Sequence, residues 1–141
     1  MENESKVIIH IKSCQTDENG EKSEIEFYTE GKFGIMDEAS YLVYEESEIS
    51  GLGATKSTIK IKNGMLSLIR FGASTSKFVF DPAKITHTDY CTEYGCFEMN
   101  IETHEAFTDI NDNMESKIYL RYTVDIENQG ALLNELTLTF R

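Results

Sequence analysis

The chain has 141 residues, one domain's worth, enough to bury roughly two-thirds of its unfolded surface without a metal or disulfide staple. Its 40% hydrophobic and 11% aromatic content, with one proline and nine glycines, excludes disordered, collagen-like and low-complexity classes. Twenty-five acidic residues against thirteen basic ones give a formal net charge of -12, which repels polyphosphate and argues against a nucleic-acid partner.

The periodicity is two almost everywhere along the chain, the signature of half-buried strands. Val7, Ile9 and Ile11 alternate with His10 and Lys12. After the turn signal Asp17-Glu18-Asn19-Gly20 the pattern resumes, with Ile25, Phe27 and Thr29 set against Glu24, Glu26, Tyr28 and Glu30. Gly31 and Gly34 then interrupt this strand, as a bulge or barrel corner would require. A turn over 36–39 leads to a third strand at 40–45, and the stretch 46–54, containing Gly51-Leu52-Gly53, reads as a loop.

Ile59 and Ile61 between Lys60 and Lys62 mark the fourth strand, and Asn63-Gly64 is the strongest hairpin signal in the sequence. Its return strand covers 65–71. After a turn at 72–76 comes a short strand at 77–80, ended by Asp81-Pro82 because proline donates nothing to a ladder. A strand over 85–93 reverses at Tyr94-Gly95 into Phe97, Met99, Ile101 and Thr103, which alternate with Glu98, Asn100, Glu102 and His104. Asn111-Asp112-Asn113 makes the next turn. Ile118, Leu120, Tyr122, Val124 and Ile126 share one face of the strand at 114–127, and after Gln129-Gly130 the residues Leu132, Asn134, Leu136, Leu138 and Phe140 form the inward phase of the last strand, 131–141.

About ten strands, each with one apolar face, leave rows of unpaired backbone groups at the sheet edges, and closing the sheet on itself removes them. Long final strands suit a coiled barrel better than a sandwich. The expected fold is therefore all-β: one domain over 1–141, an antiparallel closed or nearly closed barrel. The acidic start, Met1-Glu2-Asn3-Glu4-Ser5-Lys6, lacks the basic and apolar segments of a secretion signal, and no apolar run is long enough for a transmembrane helix. The protein is expected to be cytoplasmic, with no membrane partner. Cys14, Cys91 and Cys96 make an odd count, which in such a chain points to reduced thiols rather than a disulfide framework.

The stretch Thr88-Asp89-Tyr90-Cys91-Thr92-Glu93-Tyr94-Gly95, running into Phe97, Met99, Ile101 and Thr103, resembles the central motif of the YwiB-like family of Firmicute proteins, a domain-of-unknown-function family. Tyr41-Leu42-Val43-Tyr44-Glu45-Glu46, the step Arg70-Phe71-Gly72, and the ending from Tyr122 to Asn134-Glu135-Leu136-Thr137-Leu138 agree with it in order, so the resemblance runs from Val7 to Phe140. It implies a calycin-type, lipocalin-like barrel in a bacterial cytosolic protein. No activity is established for that family, so the resemblance carries over no catalytic residue.

Candidate sites are few. His87, Cys91 and Cys96 have ligand types that zinc accepts, but the local sequence offers no fourth ligand, and no metal is expected. No nucleophile elbow surrounds Cys14, Cys91 or Ser67, and Gly51-Leu52-Gly53 lacks the third glycine and following helix of a dinucleotide loop. No catalytic residue and no cofactor are assigned. Glu45, Glu46 and Glu48 cannot all face one cavity from a regular strand, since successive side chains point to opposite faces. Glu24, Glu26 and Glu30 read as a wet face.

Three polar residues fall instead in apolar phases, where an unpaired polar group costs a few kcal/mol. Arg70 shares a face with Leu66 and Leu68, Tyr122 lies between Leu120 and Val124, and Asn134 lies between Leu132 and Leu136. In a barrel with a cavity, Arg70 would anchor an anionic head group, with Tyr122 and Asn134 orienting the ligand. In a filled barrel they would bond to one another or to backbone. The expected function is non-enzymatic binding of a small, partly apolar or anionic ligand. The alternative is a protein–protein adaptor acting through its acidic outer surface and exposed aromatics such as Tyr28 and Tyr119, with a protein partner or a second copy. An enzyme is the third reading.

Overall fold

A computed structural model of the chain describes residues 4–46, 55–71, 76–111, 114–127 and 130–141. The readings placed on 47–54, 72–75, 112–113 and 128–129, the Gly51-Leu52-Gly53 loop among them, lie outside these residues. The elements in chain order are β1 (Ser5–Thr16), β2 (Lys22–Met36), β3 (Ala39–Glu46), β4 (Thr55–Lys62), β5 (Met65–Phe71), β6 (Ser76–Phe80), β7 (Thr86–Thr92), β8 (Gly95–Asp109), β9 (Ser116–Ile126) and β10 (Gly130–Phe140). They form one antiparallel sheet in the order β6-β5-β4-β3-β2-β1-β10-β9-β8-β7. The two outermost strands come round to meet, and the Thr86 hydroxyl donates to the Val79 carbonyl at 2.7 Å across the seam. Among the described residues no backbone ladder joins β6 to β7, so the barrel is nearly closed.

Local chemistry sets the reversals. Asn63 (φ 52°) and Gly64 (φ 77°) take the left-handed conformations of a type I′ turn. Asp37 (φ 52°) and Glu38 (φ 65°) do the same at the β2–β3 reversal without any glycine. At the β1–β2 turn the Asp17 carboxylate accepts the backbone N–H groups of Asn19 and Glu21, both at 2.9 Å. Glu18 then reaches the start of β10, where its carboxylate accepts the Ala131 N–H at 2.8 Å.

The inward phases anticipated from alternation meet in one core. Ile9, Ile11, Leu42, Ile59, Leu66, Leu68, Phe80, Met99, Ile101, Ile118, Leu120 and Leu138 are buried to 2% exposure or less. Removing one such side chain from water is worth about 1.5–3 kcal/mol, so this belt supplies the main stabilisation of the barrel.

Two expectations change. Gly31 and Gly34 make no bulge, and β2 keeps a continuous register with both β1 and β3. Gly31 is needed for close packing instead, because a Cβ there would lie 2.5 Å from Ile9 Cδ1 and 2.7 Å from the Val43 carbonyl oxygen. The register irregularity falls between Thr103 and Glu105 on β8, where it turns Ala106 towards the core after Thr103. Finally, Cys91 and Cys96 are joined as a disulfide, leaving Cys14 free, against the expectation of reduced thiols. The β7–β8 register makes them direct partners, a relation that an odd count does not reveal.

Candidate functional site

On β3 to β6 the inward side chains fall into three rows set by register. One row runs Ser40–Ile61–Leu66–Phe80 and the next Leu42–Ile59–Leu68–Phe78. The third row, two residues further along each strand, is Tyr44–Ser57–Arg70–Ser76. It lies where β3 and β5 finish and β4 and β6 begin. Three hydroxyls and a guanidinium thus stand on adjacent strands at one end of the barrel interior, beyond the wholly apolar row Leu42–Ile59–Leu68–Phe78.

Ser57 is 0% exposed, and its Oγ has no hydrogen-bond partner among the described residues. Ser76 is 4% and Tyr44 is 2% exposed, whereas Arg70 is half-buried and holds its guanidinium 5.7 Å from the centre of the Phe78 ring. A buried hydroxyl without a partner costs about 1–3 kcal/mol in lost solvation. Guanidinium and hydroxyl donors set along a row suit an oxyanion, carboxylate or phosphate, better than any neutral group.

Tyr122 and Asn134 are inward register partners on β9 and β10, and Thr103 of β8 stands on the other side of Tyr122. The Asn134 side-chain amide donates to the Leu132 carbonyl on its own strand at 3.1 Å. Thr103 is 6% exposed and its Oγ1 has no hydrogen-bond partner among the described residues. Arg70 is on another part of the sheet, and aromatic rings span the distance between them. Phe78 and Phe80 are stacked with centroids 6.2 Å apart, and Phe80 meets the Tyr122 ring at 4.7 Å. The three residues singled out from sequence are therefore all inward, two adjacent and the third linked through two phenylalanines. Ser57, Ser76 and Thr103 were missed. Their signal was the parity they share with Ile59, with Phe78 and with Ile101.

At the opposite end of the barrel, a cleft of about 500 Å³ is lined by Val7, Phe33, Phe140, Met114, Lys6 and Arg141, with others. Its buried polar group is already satisfied: the Ser116 hydroxyl accepts the Asn111 N–H at 2.8 Å. On the outer face His10 stacks on Tyr28 at 4.6 Å, and Arg121 pairs with Glu105 at 3.3 Å. Burial, and after it the Glu135 and Glu105 carboxylates, raise the Tyr119 phenol above its ordinary pKa. His87 is hydrogen-bonded to Asn100, and no group of three or more His, Cys, Asp or Glu side chains among the described residues is arranged to hold a metal ion. No helix among them is long and apolar enough to cross a membrane.

An all-strand, nearly closed barrel with a polar row at one end of a mainly apolar interior is the class of protein that these features define. The chain belongs to the family described as "Domain of unknown function (DUF1934)", whose model matches residues 9–138. It is similar to the uncharacterized beta-barrel protein YwiB of Bacillus subtilis (strain 168), at 26% identity over 140 residues, covering 99% of this chain and 96% of that protein. The crystal structure of the ywiB protein from Bacillus subtilis superposes with a TM-score of 0.86 at 26% identity, covering 100% of this chain and 94% of that one. The order of short motifs read from the sequence thus led to the right family and fold.

Proposed function

We propose that this barrel is a non-enzymatic binder of a small, partly apolar anion, seated with its head group against Arg70, Ser57 and Ser76. The observation that carries the reading is the Ser57 hydroxyl, fully buried and unpartnered on the residue that pairs with Arg70 across β4 and β5. A carboxylate or phosphate oxygen would supply the missing acceptor, and Phe78 would offer an apolar wall to the first carbons behind it. Tyr122, Asn134 and the unpartnered Thr103 form a second polar group for a longer ligand, reached along Phe78 and Phe80. The lipocalin-like shape that the sequence resemblance implies would support the reading as shape only.

The test pairs decanoate with decanol, which share a chain and differ in charge. Titration calorimetry should find decanol roughly tenfold weaker than decanoate, as expected for the loss of a charge-assisted hydrogen bond. Arg70→Gln should bring decanoate down to the decanol level. Equal affinity for the two probes, or unchanged decanoate binding in Arg70→Gln, would overturn the head-group assignment. Absence of binding by both would leave the acidic-surface adaptor as the better account.

A further inference from the structure

We propose that Cys91 and Cys96 form a reversible thiol–disulfide exchange site at the tip of the β7–β8 hairpin, whose co-reactant is a low-molecular-weight disulfide without net negative charge. The two residues are direct register partners, one rung inside the Thr92–Gly95 pair that closes the hairpin. The ladder from Thr86 to Thr92 against Gly95 to Ile101 already holds them side by side. With only five residues of separation, the bond closes a short loop and constrains the unfolded chain little. A staple for stability would join distant segments; this one joins neighbours.

Accessibility points the same way. Cys96 is exposed and Cys91 is half-buried, and both belong to the outward phase, since Phe97 and Met99 take the inward one. Exposed disulfides of this kind exchange with solution thiols, whereas structural ones are shielded. The next outward pair on the ladder is Asp89 opposite Glu98, and both carboxylates are exposed. Like charges directly opposed across a ladder repel, so the disulfide sits beside a rung that favours separation. The same two carboxylates repel an anionic reagent such as glutathione and admit a cationic one.

The chemistry balances as a two-electron exchange. The Cys96 sulfur, as thiolate, attacks one sulfur of the small disulfide, expels one small thiolate and leaves a mixed disulfide on the protein. Cys91 then attacks the Cys96 sulfur and expels the second small thiolate. Two protons lost by the cysteines end on the two released thiols, the protein pair is oxidised and the small disulfide is reduced. The exposed Cys96 is the entry point, and the less accessible Cys91 resolves the intermediate.

The experiment equilibrates the full chain in cystamine–cysteamine mixtures of varied ratio, quenches with acid, and counts maleimide-reactive thiols by mass. In a Cys14→Ser background, which removes the third thiol that cystamine would also cap, the count should move from zero to two as cysteamine rises, with circular dichroism still reporting strand throughout. In single variants, Cys91→Ser should accumulate the mixed disulfide faster than Cys96→Ser. Cystamine should react faster than oxidised glutathione at low salt, with the gap narrowing as salt is added. A pair that stays oxidised in excess cysteamine, a count fixed at two, or unfolding on reduction would overturn the proposal. Equal rates for the two variants would overturn the assigned order of attack, and equal rates for the two reagents at low salt would overturn the charge selectivity.

Discussion

Two rows of the same four strands differ in chemistry although two residues separate them along each strand. Leu42–Ile59–Leu68–Phe78 is oil throughout, while Tyr44–Ser57–Arg70–Ser76 carries three hydroxyls and a guanidinium in the same inward phase. The first row does what a barrel interior needs for stability, since close-packed apolar surface is its main source. The second does not, because a buried hydroxyl left without a partner opposes folding. A buried hydroxyl such as that of Ser57, left unpartnered among donors gathered at one end, is better explained by what it binds than by what it holds together.

The comparison can be broken most forcefully in the apolar row. Leu68→Ala should lower unfolding stability by about 2–5 kcal/mol, read by denaturant titration, because the rigid wall around it closes only partly over the void. Gly31→Ala comes next, at about 1–3 kcal/mol, since the added methyl meets Ile9 Cδ1 and the Val43 carbonyl and β2 must move away from β3. In the polar row the sign should reverse. Ser57→Ala removes an unpartnered hydroxyl and should leave stability unchanged or raise it by about 1 kcal/mol, while weakening decanoate binding. A loss of stability in Ser57→Ala comparable to that in Leu68→Ala would erase the distinction between the rows.

The smallest effect lies outside both rows, on the outer face. Tyr119 holds its proton to higher pH in the folded chain than in the unfolded one, so its contribution is fully present below pH 10.0 and is lost as pH rises through the raised folded value. Solvent screening at this accessible position keeps the change small. A pH titration of unfolding should show a slightly shallower alkaline decline in Tyr119→Phe than in the parent.

Alternation made most of the barrel legible. It located every strand core from Val7 to Phe140 and put Arg70, Tyr122 and Asn134 on the inward side, because a period of two survives wherever one face is wet. It failed where neighbours across the ladder decide the outcome. The irregularity after Thr103 swaps the inward parity within a single strand, so Ala106 reads as outward from the sequence alone. Gly31 read as a candidate bulge and serves instead as room for Ile9, a contact between strands that only the register supplies.

The candidate site was half legible for the same reason. Arg70 stands out in an apolar phase because it is large and charged, whereas Ser57 and Ser76 are small and common at strand ends. Only the pairing of β4 and β6 with β5 sets those two serines on either side of Arg70. The disulfide escaped likewise: spacing gave two cysteines near a turn, and the ladder made them partners.

The most direct measurement is a decanoate titration followed by backbone amide NMR of the isotope-labelled chain. The account predicts that the shifts concentrate on Ser57, Arg70, Ser76 and Phe78. Shifts confined to Lys6, Phe33 and Phe140 around the cleft at the far end, with the polar row unmoved, would contradict it.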